Sequence, residues 1–191
     1  MMKIILGSAS KWRQQILKEA GMAFDALAPN INEKNIRDED PEKLALALAH
    51  AKAKALLPRI HSPHLLITAD QVVYCNGEIF EKPRDDIELR KFLLAYVQHP
   101  AKTITALVVT NTQTQKSAEG IDIATVYFSP DLIYSIENYL GNQELYHCAG
   151  GFQIENKTGG LNPFILKIEG EIDSVKGLPM ILLKSLMKKV E

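Results

Sequence analysis

Two cysteines, one tryptophan and a 7% share of aromatic residues are all that this 191-residue chain holds of the groups that staple or anchor small folds. Cys75 and Cys148 lie far apart and fit neither a disulfide framework nor a zinc-ligand spacing, so two buried thiols are expected. No apolar run approaches the roughly 20 residues that cross a bilayer. Only Ile4-Ile5-Leu6 are strongly apolar before Gly7-Ser8, too few for a signal-peptide core. A cytoplasmic protein without a membrane partner is expected. An excess of one charge is missing as well: 22 basic against 23 acidic residues leave a formal net charge of −1, and no basic stripe with interleaved aromatics is present. No nucleic-acid partner is expected, and an anionic ligand must be held by a local cluster. A Walker A loop, a dinucleotide fingerprint and a nucleophile elbow are absent too, which disfavours the reactions those motifs serve.

What is present is an ordinary globular mixture, 46% apolar and 24% charged, enough for one domain over residues 1–191. Lys3 to Leu6 predicts a strand, Gly7-Ser8-Ala9-Ser10 a tight connection, and Lys11 to Ala20 a helix closed by Gly21. Asp40-Pro41 opens an Ala/Leu-rich helix that Pro58 ends. The run from Leu65 to Tyr74 predicts a strand turned back at Asn76-Gly77 into Glu78-Ile79-Phe80. Asp85 and Glu88 cap a helix to about Gln98. Lys102 to Thr110 and Ile121 to Phe128 predict an antiparallel strand pair around a polar turn. Ser129-Pro130 opens a helix to about Leu140, and Leu178-Pro179 a last one to about Lys189. The polar 156–162 segment reads equally as a lid or an interface. The sum is an α/β fold with a mixed, twisted sheet flanked by helices.

Chemistry concentrates in a few places. Asp70 stands inside an apolar, β-branched strand, where a carboxylate must take a proton, pair with a cation or hold a metal. Glu33 lies in a polar segment and gains meaning only beside Asp70, since two carboxylates meeting at one place could hold a hard divalent ion. The hydroxyls of Ser8 and Ser10, the loop N–H groups and the helix start suit a phosphate, with Arg13 one turn further on; a plain helix cap is the competing explanation. Lys52 and Lys54 both flank the apolar stripe of their helix, and periodicity does not choose between them. Lys82 precedes Pro83, which limits its backbone. The His61-x-x-His64 pair lacks a third ligand nearby and is not taken as a metal site.

In this order along the chain, Gly7-Ser8-Ala9-Ser10-Lys11-Trp12-Arg13, Asn32-Glu33, Ala51-Lys52-Ala53-Lys54, Thr68-Ala69-Asp70-Gln71, Glu81-Lys82-Pro83, Ala149-Gly150-Gly151-Phe152 and Gly170 to Pro179 resemble the motifs of the Maf nucleoside triphosphate pyrophosphatases. The resemblance implies two lobes around a deep cleft, often a homodimer, and cleavage of a nucleoside triphosphate to the monophosphate and pyrophosphate. It selects Lys52 over Lys54. It implies catalytic roles for Asp70, Glu33, Lys52 and Lys82, substrate contacts from Ser8, Ser10, Trp12, Arg13 and Gln71, and magnesium or manganese on Glu33 and Asp70. Gln14 replaces a usual second arginine, and Tyr96-Val97-Gln98-His99-Pro100 replaces a usual Ser-Gly-Arg-x-His segment. Gln71, His147-Cys148 and Trp12 resemble the branch associated with 7-methyl-GTP rather than dTTP or UTP. Indole suits a cationic methylated purine, although Trp12 could equally pack its helix onto the sheet. The same reaction on dTTP, UTP or CTP, and a nucleotide-binding cell-division regulator with little turnover (the family is linked by name to septum formation), are the alternatives.

Overall fold

The computed structural model describes residues 2–154 and 160–191. Of the polar segment 156–162, residues 156–159 fall outside that description. Strand β1 (Lys3–Gly7) leads through the Ser8–Ser10 loop into helix α1 (Lys11–Glu19), and β2 (Phe24–Ala26) pairs with β1 in parallel. Helix α2 (Pro41–Leu56) precedes β3 (His64–Cys75), which pairs in parallel with β1 from Lys3↔His64 to Gly7↔Thr68. Strand β4 (Glu78–Phe80) returns antiparallel on β3. Helix α3 (Asp86–Gln98), β5 (Ala101–Asn111), β6 (Ser117–Phe128), β7 (Ile165–Glu169), the short α4 (Ile172–Val175) and α5 (Met180–Val190) follow. Among the described residues seven strands form one mixed sheet in the order β2-β1-β3-β5-β6-β7, with β4 attached to β3.

The chain divides into two compact units. The first comprises residues 1–70, 105–122 and 177–191, and the second residues 71–104 and 123–176. In the first, one face of β1, β3 and β5 carries Ile4, Leu6, Leu65, Ile67, Ala69, Leu107 and Val109, which are buried with Ile16 and Leu17 of α1 and Leu183 and Leu186 of α5. These residues alternate along each strand, as a two-residue side-chain period requires. The other unit is built on aromatic packing. Phe80 stacks on Phe92 with centroids 4.1 Å apart, and Tyr96 meets both Phe128 and Phe152.

Local signals account for most element ends. Asp40 Oδ1 accepts from the N–H groups of Glu42 and Lys43, with Pro41 at the first helical position. Asn76 (φ 48°) and Gly77 (φ 84°) make the two-residue hairpin turn. The Asp85 carboxylate accepts the Glu88 N–H, but Glu88 reaches back one residue further than a capping box, to the N–H of Arg84.

Three expectations change. Residues 130–139 form a succession of 3-10 turns rather than an α-helix. The run holds Asp, Ile, Tyr, Ser and Asn, none a strong helix former, and only Leu132 and Ile136 are buried. Strands β2 and β7 were not signalled, because three and five residues are too few to show a period against solvent-exposed neighbours. Cys75 is buried as expected, whereas Cys148 is only half-buried; neither thiol is in a disulfide.

Candidate active site

Asp70 is the third residue of an alternating row, Leu66, Thr68 and Asp70, on one face of β3, the central strand beside β1. Helix α2 covers that row with its buried side, Ala45, Leu48, Ala49, Lys52, Ala53 and Leu56. The contact is fixed where Thr68 Oγ1 donates to the Ala49 carbonyl at 2.9 Å. Three residues further along the helix (~4.5 Å) stands Lys52, and two further along the strand (~6.6 Å) stands Asp70. The lysine stem spans the difference and its ammonium pairs with Asp70 Oδ1. Gly7 permits the close approach, since a Cβ there would come within 2.6 Å of both Leu56 and Thr68 side chains. Lys54, two residues on, is exposed.

Glu33 sits on a short 3-10 turn (Glu33–Asn35) whose start is capped by Asn32, with Oδ1 accepting from the Lys34 N–H. Its Oε1 lies 2.8 Å from Lys52 Nζ, so a single ammonium faces both acids. The side chains of Lys52 and Asp70 are 8% and 10% exposed and that of Glu33 is 46% exposed, so the cluster opens on the Glu33 side. Only Oδ1 of Asp70 is engaged by the protein among the described residues, which leaves Oδ2 for a ligand.

Ser10 caps α1, its Oγ accepting from the Arg13 N–H at 3.4 Å, and Ser8 Oγ accepts from the Ser10 N–H at 3.1 Å. Both hydroxyls therefore act as acceptors within the loop and retain their O–H to donate. Arg13 is buried and its fork is committed to the backbone, Nη1 to Ala69 O and Nε to Gly177 O, each at 2.8 Å. Burial presses the Arg13 pKa below its ordinary value, and the charges of Asp70 and then Glu33 act against that. Trp12, beside it, is 36% exposed and is not among the described residues packed in either core cluster.

Two expected site residues lie in the second unit. Gln71 donates from Nε2 to Ser174 O at 2.8 Å and to Val175 O at 3.2 Å. Lys82 is exposed, between two fixed points: Glu81 O accepts the Gly150 N–H at 3.0 Å, and Pro83 is buried against Gly151. Gly150 (φ 68°) is required there, because a Cβ would stand 2.6 Å from the Tyr96 hydroxyl and 2.8 Å from Val73. The double glycine thus acts by steric means on the segment that presents Lys82, a role that was not legible in the motif. The His61-x-x-His64 pair is local, with His64 Nδ1 facing Ser62 O at 2.9 Å. No group of three or more His, Cys, Asp or Glu suited to a metal occurs among the described residues.

A mixed sheet carrying a buried Asp–Lys pair, an adjoining acid and a serine-rich helix start is a set of charges and hydroxyls that suits a polar, charged ligand. Residues 3–190 match the family described as Maf-like protein, and the chain belongs to that family. A protein of Dictyostelium discoideum named 7-methyl-GTP pyrophosphatase is 40% identical over 194 residues, covering 98% of this chain and 96% of its own. A Vibrio vulnificus protein of the same name is 33% identical over 97% of this chain and 93% of its own. A Synechococcus protein named nucleoside triphosphate pyrophosphatase is 31% identical over 98% of this chain and 93% of its own.

Proposed function

We propose that this protein hydrolyses a nucleoside triphosphate to the nucleoside monophosphate and pyrophosphate, with 7-methyl-GTP as the preferred substrate. The observation that carries the proposal is the Lys52 ammonium shared by Glu33 and Asp70 at a cluster that is closed behind Asp70 and open at Glu33. The ammonium of Lys52 is already engaged by both acids, and Arg13 is bound to two carbonyls. A triphosphate therefore needs further positive charge, which points to a divalent ion and to Lys82.

The residues present fit such an ion. Magnesium is commonly held by one or two carboxylates and completes its shell with water and phosphate oxygens. Glu33 and Asp70 already converge on one cationic group, and they would hold magnesium or manganese. Bound there, the ion would supply charge neutralisation at the phosphates. Lys52 fixes Oδ1 of Asp70, and Oδ2 takes a proton from the water that attacks the α-phosphorus. The bond from that phosphorus to its bridging oxygen breaks, and pyrophosphate leaves. Ser8 and Ser10 donate their hydroxyl protons to phosphate oxygens beside the loop N–H groups, and Lys82 neutralises the departing group.

The exposure of Trp12 supports stacking on a cationic purine. Arg13 and Gln71 remain in the proposed set of substrate contacts, each with its direction set by bonds to backbone carbonyls. A homodimer and a cytoplasmic location belong to the same proposal, and sedimentation and cell fractionation read them directly. No helix among the described residues is long and apolar enough to cross a membrane.

The test is pyrophosphate release with magnesium or manganese across 7-methyl-GTP, GTP, dTTP, UTP, CTP and ITP, with Asp70→Asn alongside. Fast 7-methyl-GTP cleavage that is lost in the variant is the expected result. A preference for dTTP or UTP keeps the reaction and removes the base assignment. Tight binding without release from any nucleotide replaces the enzyme with a nucleotide-binding regulator.

A further inference from the structure

The second unit carries an exposed face that its own core does not account for. Helix α3 turns Leu89, Phe92, Leu93 and Tyr96 into the aromatic core, and the turns over residues 130–139 turn in Leu132 and Ile136. The outer sides of the same two segments carry Ile87 and Leu94, and Ile133 and Tyr134. Tyr134 at 85% and Ile87 at 80% are the most exposed large apolar side chains among the described residues. The segments run antiparallel in a fixed register, because the Asp86 carboxylate accepts the Gly141 N–H at 2.8 Å and Arg90 pairs with Glu137 four residues on. A further step of four residues on each brings Leu94 near the level of Ile133. From end to end the face holds Ile87, then Arg90 beside Glu137 with Nη2 donating to Oε2 at 2.8 Å, then Leu94 with Ile133 and Tyr134. Lys91, the other cation on this side of α3, is taken up by Glu78.

We propose that this face of the second unit is the contact between two copies of the chain. The proposal rests on the homodimer included in the reading above and assigns the surface that forms it. The argument is one of charge. A two-fold interface puts a surface against an identical copy, so the surface must complement itself. A face of one sign repels its copy, whereas a basic and an acidic group side by side in an apolar surround can exchange partners. The positions also choose the axis. A two-fold perpendicular to α3 would set Arg90 against Arg90. A two-fold parallel to α3, in the plane of contact, sets Arg90 of one protomer against Glu137 of its partner, and Leu94 against Ile133 and Tyr134. An exposed ion pair within one chain adds little to stability, but the same groups gain when apolar neighbours shut out water around them. Tyrosine and arginine are also the residue types that interfaces favour.

The test is sedimentation equilibrium on wild type, Arg90→Glu, Glu137→Arg, Tyr134→Ala and an equimolar mixture of the two charge reversals, with circular dichroism and thermal melting to establish that each chain is folded. Wild type is expected to be a dimer in the micromolar range. Each single variant should raise the dimer Kd by tenfold or more. The mixture should restore association to within about threefold of wild type, because acids at 90 and 137 on one chain then meet bases at 137 and 90 on the other. Within each of those chains two like charges remain, so recovery in the mixture reports only the contact between chains. A mixture that stays monomeric overturns the proposal, as do variants that associate like wild type. If a charge reversal does not fold, Tyr134→Ala decides alone: a Kd within threefold of wild type overturns the assignment. A monomeric wild type removes the homodimer and this face with it, while pyrophosphate release, measured separately, still decides the enzymatic reading. A wild-type dimer indifferent to all the variants removes only the face.

Discussion

Lys52 holds Asp70 by one carboxylate oxygen, and the two side chains are about nine-tenths buried. A buried pair of this kind is costly to break from one side, because the remaining charge keeps its desolvation penalty and loses its partner. Lys52→Met should therefore destabilise the protein by about 3–5 kcal/mol in urea unfolding. The double variant Lys52→Met/Asp70→Asn should recover at least half of that, since neither buried charge is left alone and Glu33, which also loses Lys52, is 46% exposed to solvent. A double variant as unstable as the sum of the two single ones would show that the pair is not the unit. Both variants lose turnover, so stability is the property to compare.

Asp86 should contribute to the acid side of the stability curve. The Tyr146 hydroxyl and then the Gly141 N–H hold its carboxyl below the ordinary value of 3.8. A depressed carboxyl contributes stability that is fully present above its unfolded value and fades as pH falls through the folded one. Tyr146→Phe removes the larger of the two hydrogen bonds. The variant should melt below wild type at pH 6–7, and the gap should narrow as the pH drops beneath 3.8. A gap that widens in acid would assign the effect to something other than Asp86.

The thiols should behave differently. Burial, and secondarily the charge of Glu78, push Cys75 up to about 11, so it stays a neutral thiol across the working range. Cys148 is half-buried, with Sγ toward Glu144 O at 3.4 Å. A disulfide reagent should label one thiol per native chain at pH 8 and two in denaturant. Native labelling of Cys75 at pH 8 at the rate of Cys148 would contradict its burial.

Much of the fold was legible because its ends carry chemical punctuation. Asp40-Pro41, Asn76-Gly77 and Gly21 each permit few backbone conformations, and each lies at the turn or cap its chemistry demands. Strand Phe24–Ala26 had no such mark, and the 130–139 run had a cap and a proline but lacked helix formers to continue it. At the site, periodicity left Lys52 and Lys54 equivalent. What separates them is tertiary, the Thr68–Ala49 hydrogen bond that sets the depth of α2 over β3. Arg13 was legible as a cation near a helix start. Its partners, Ala69 O and Gly177 O, are backbone atoms 56 and 164 residues away, and no side-chain pattern announces a carbonyl.

Trp12 offers the most direct probe of base choice because it is the only tryptophan in the chain and stands partly in solvent. Stacking of a cationic 7-methylguanine on its ring should quench its emission more than guanine does at equal occupancy, and should add on the order of 1 kcal/mol to binding. Trp12→Ala should then raise KM for 7-methyl-GTP by about five- to tenfold, the KM for GTP by less, and leave kcat within twofold. Its removal from an exposed position should change stability by no more than about 0.5 kcal/mol. Equal losses for both nucleotides would mean that Trp12 contacts the sugar or phosphates and does not read the base. A large loss of stability would instead return Trp12 to a packing role, against its 36% exposure.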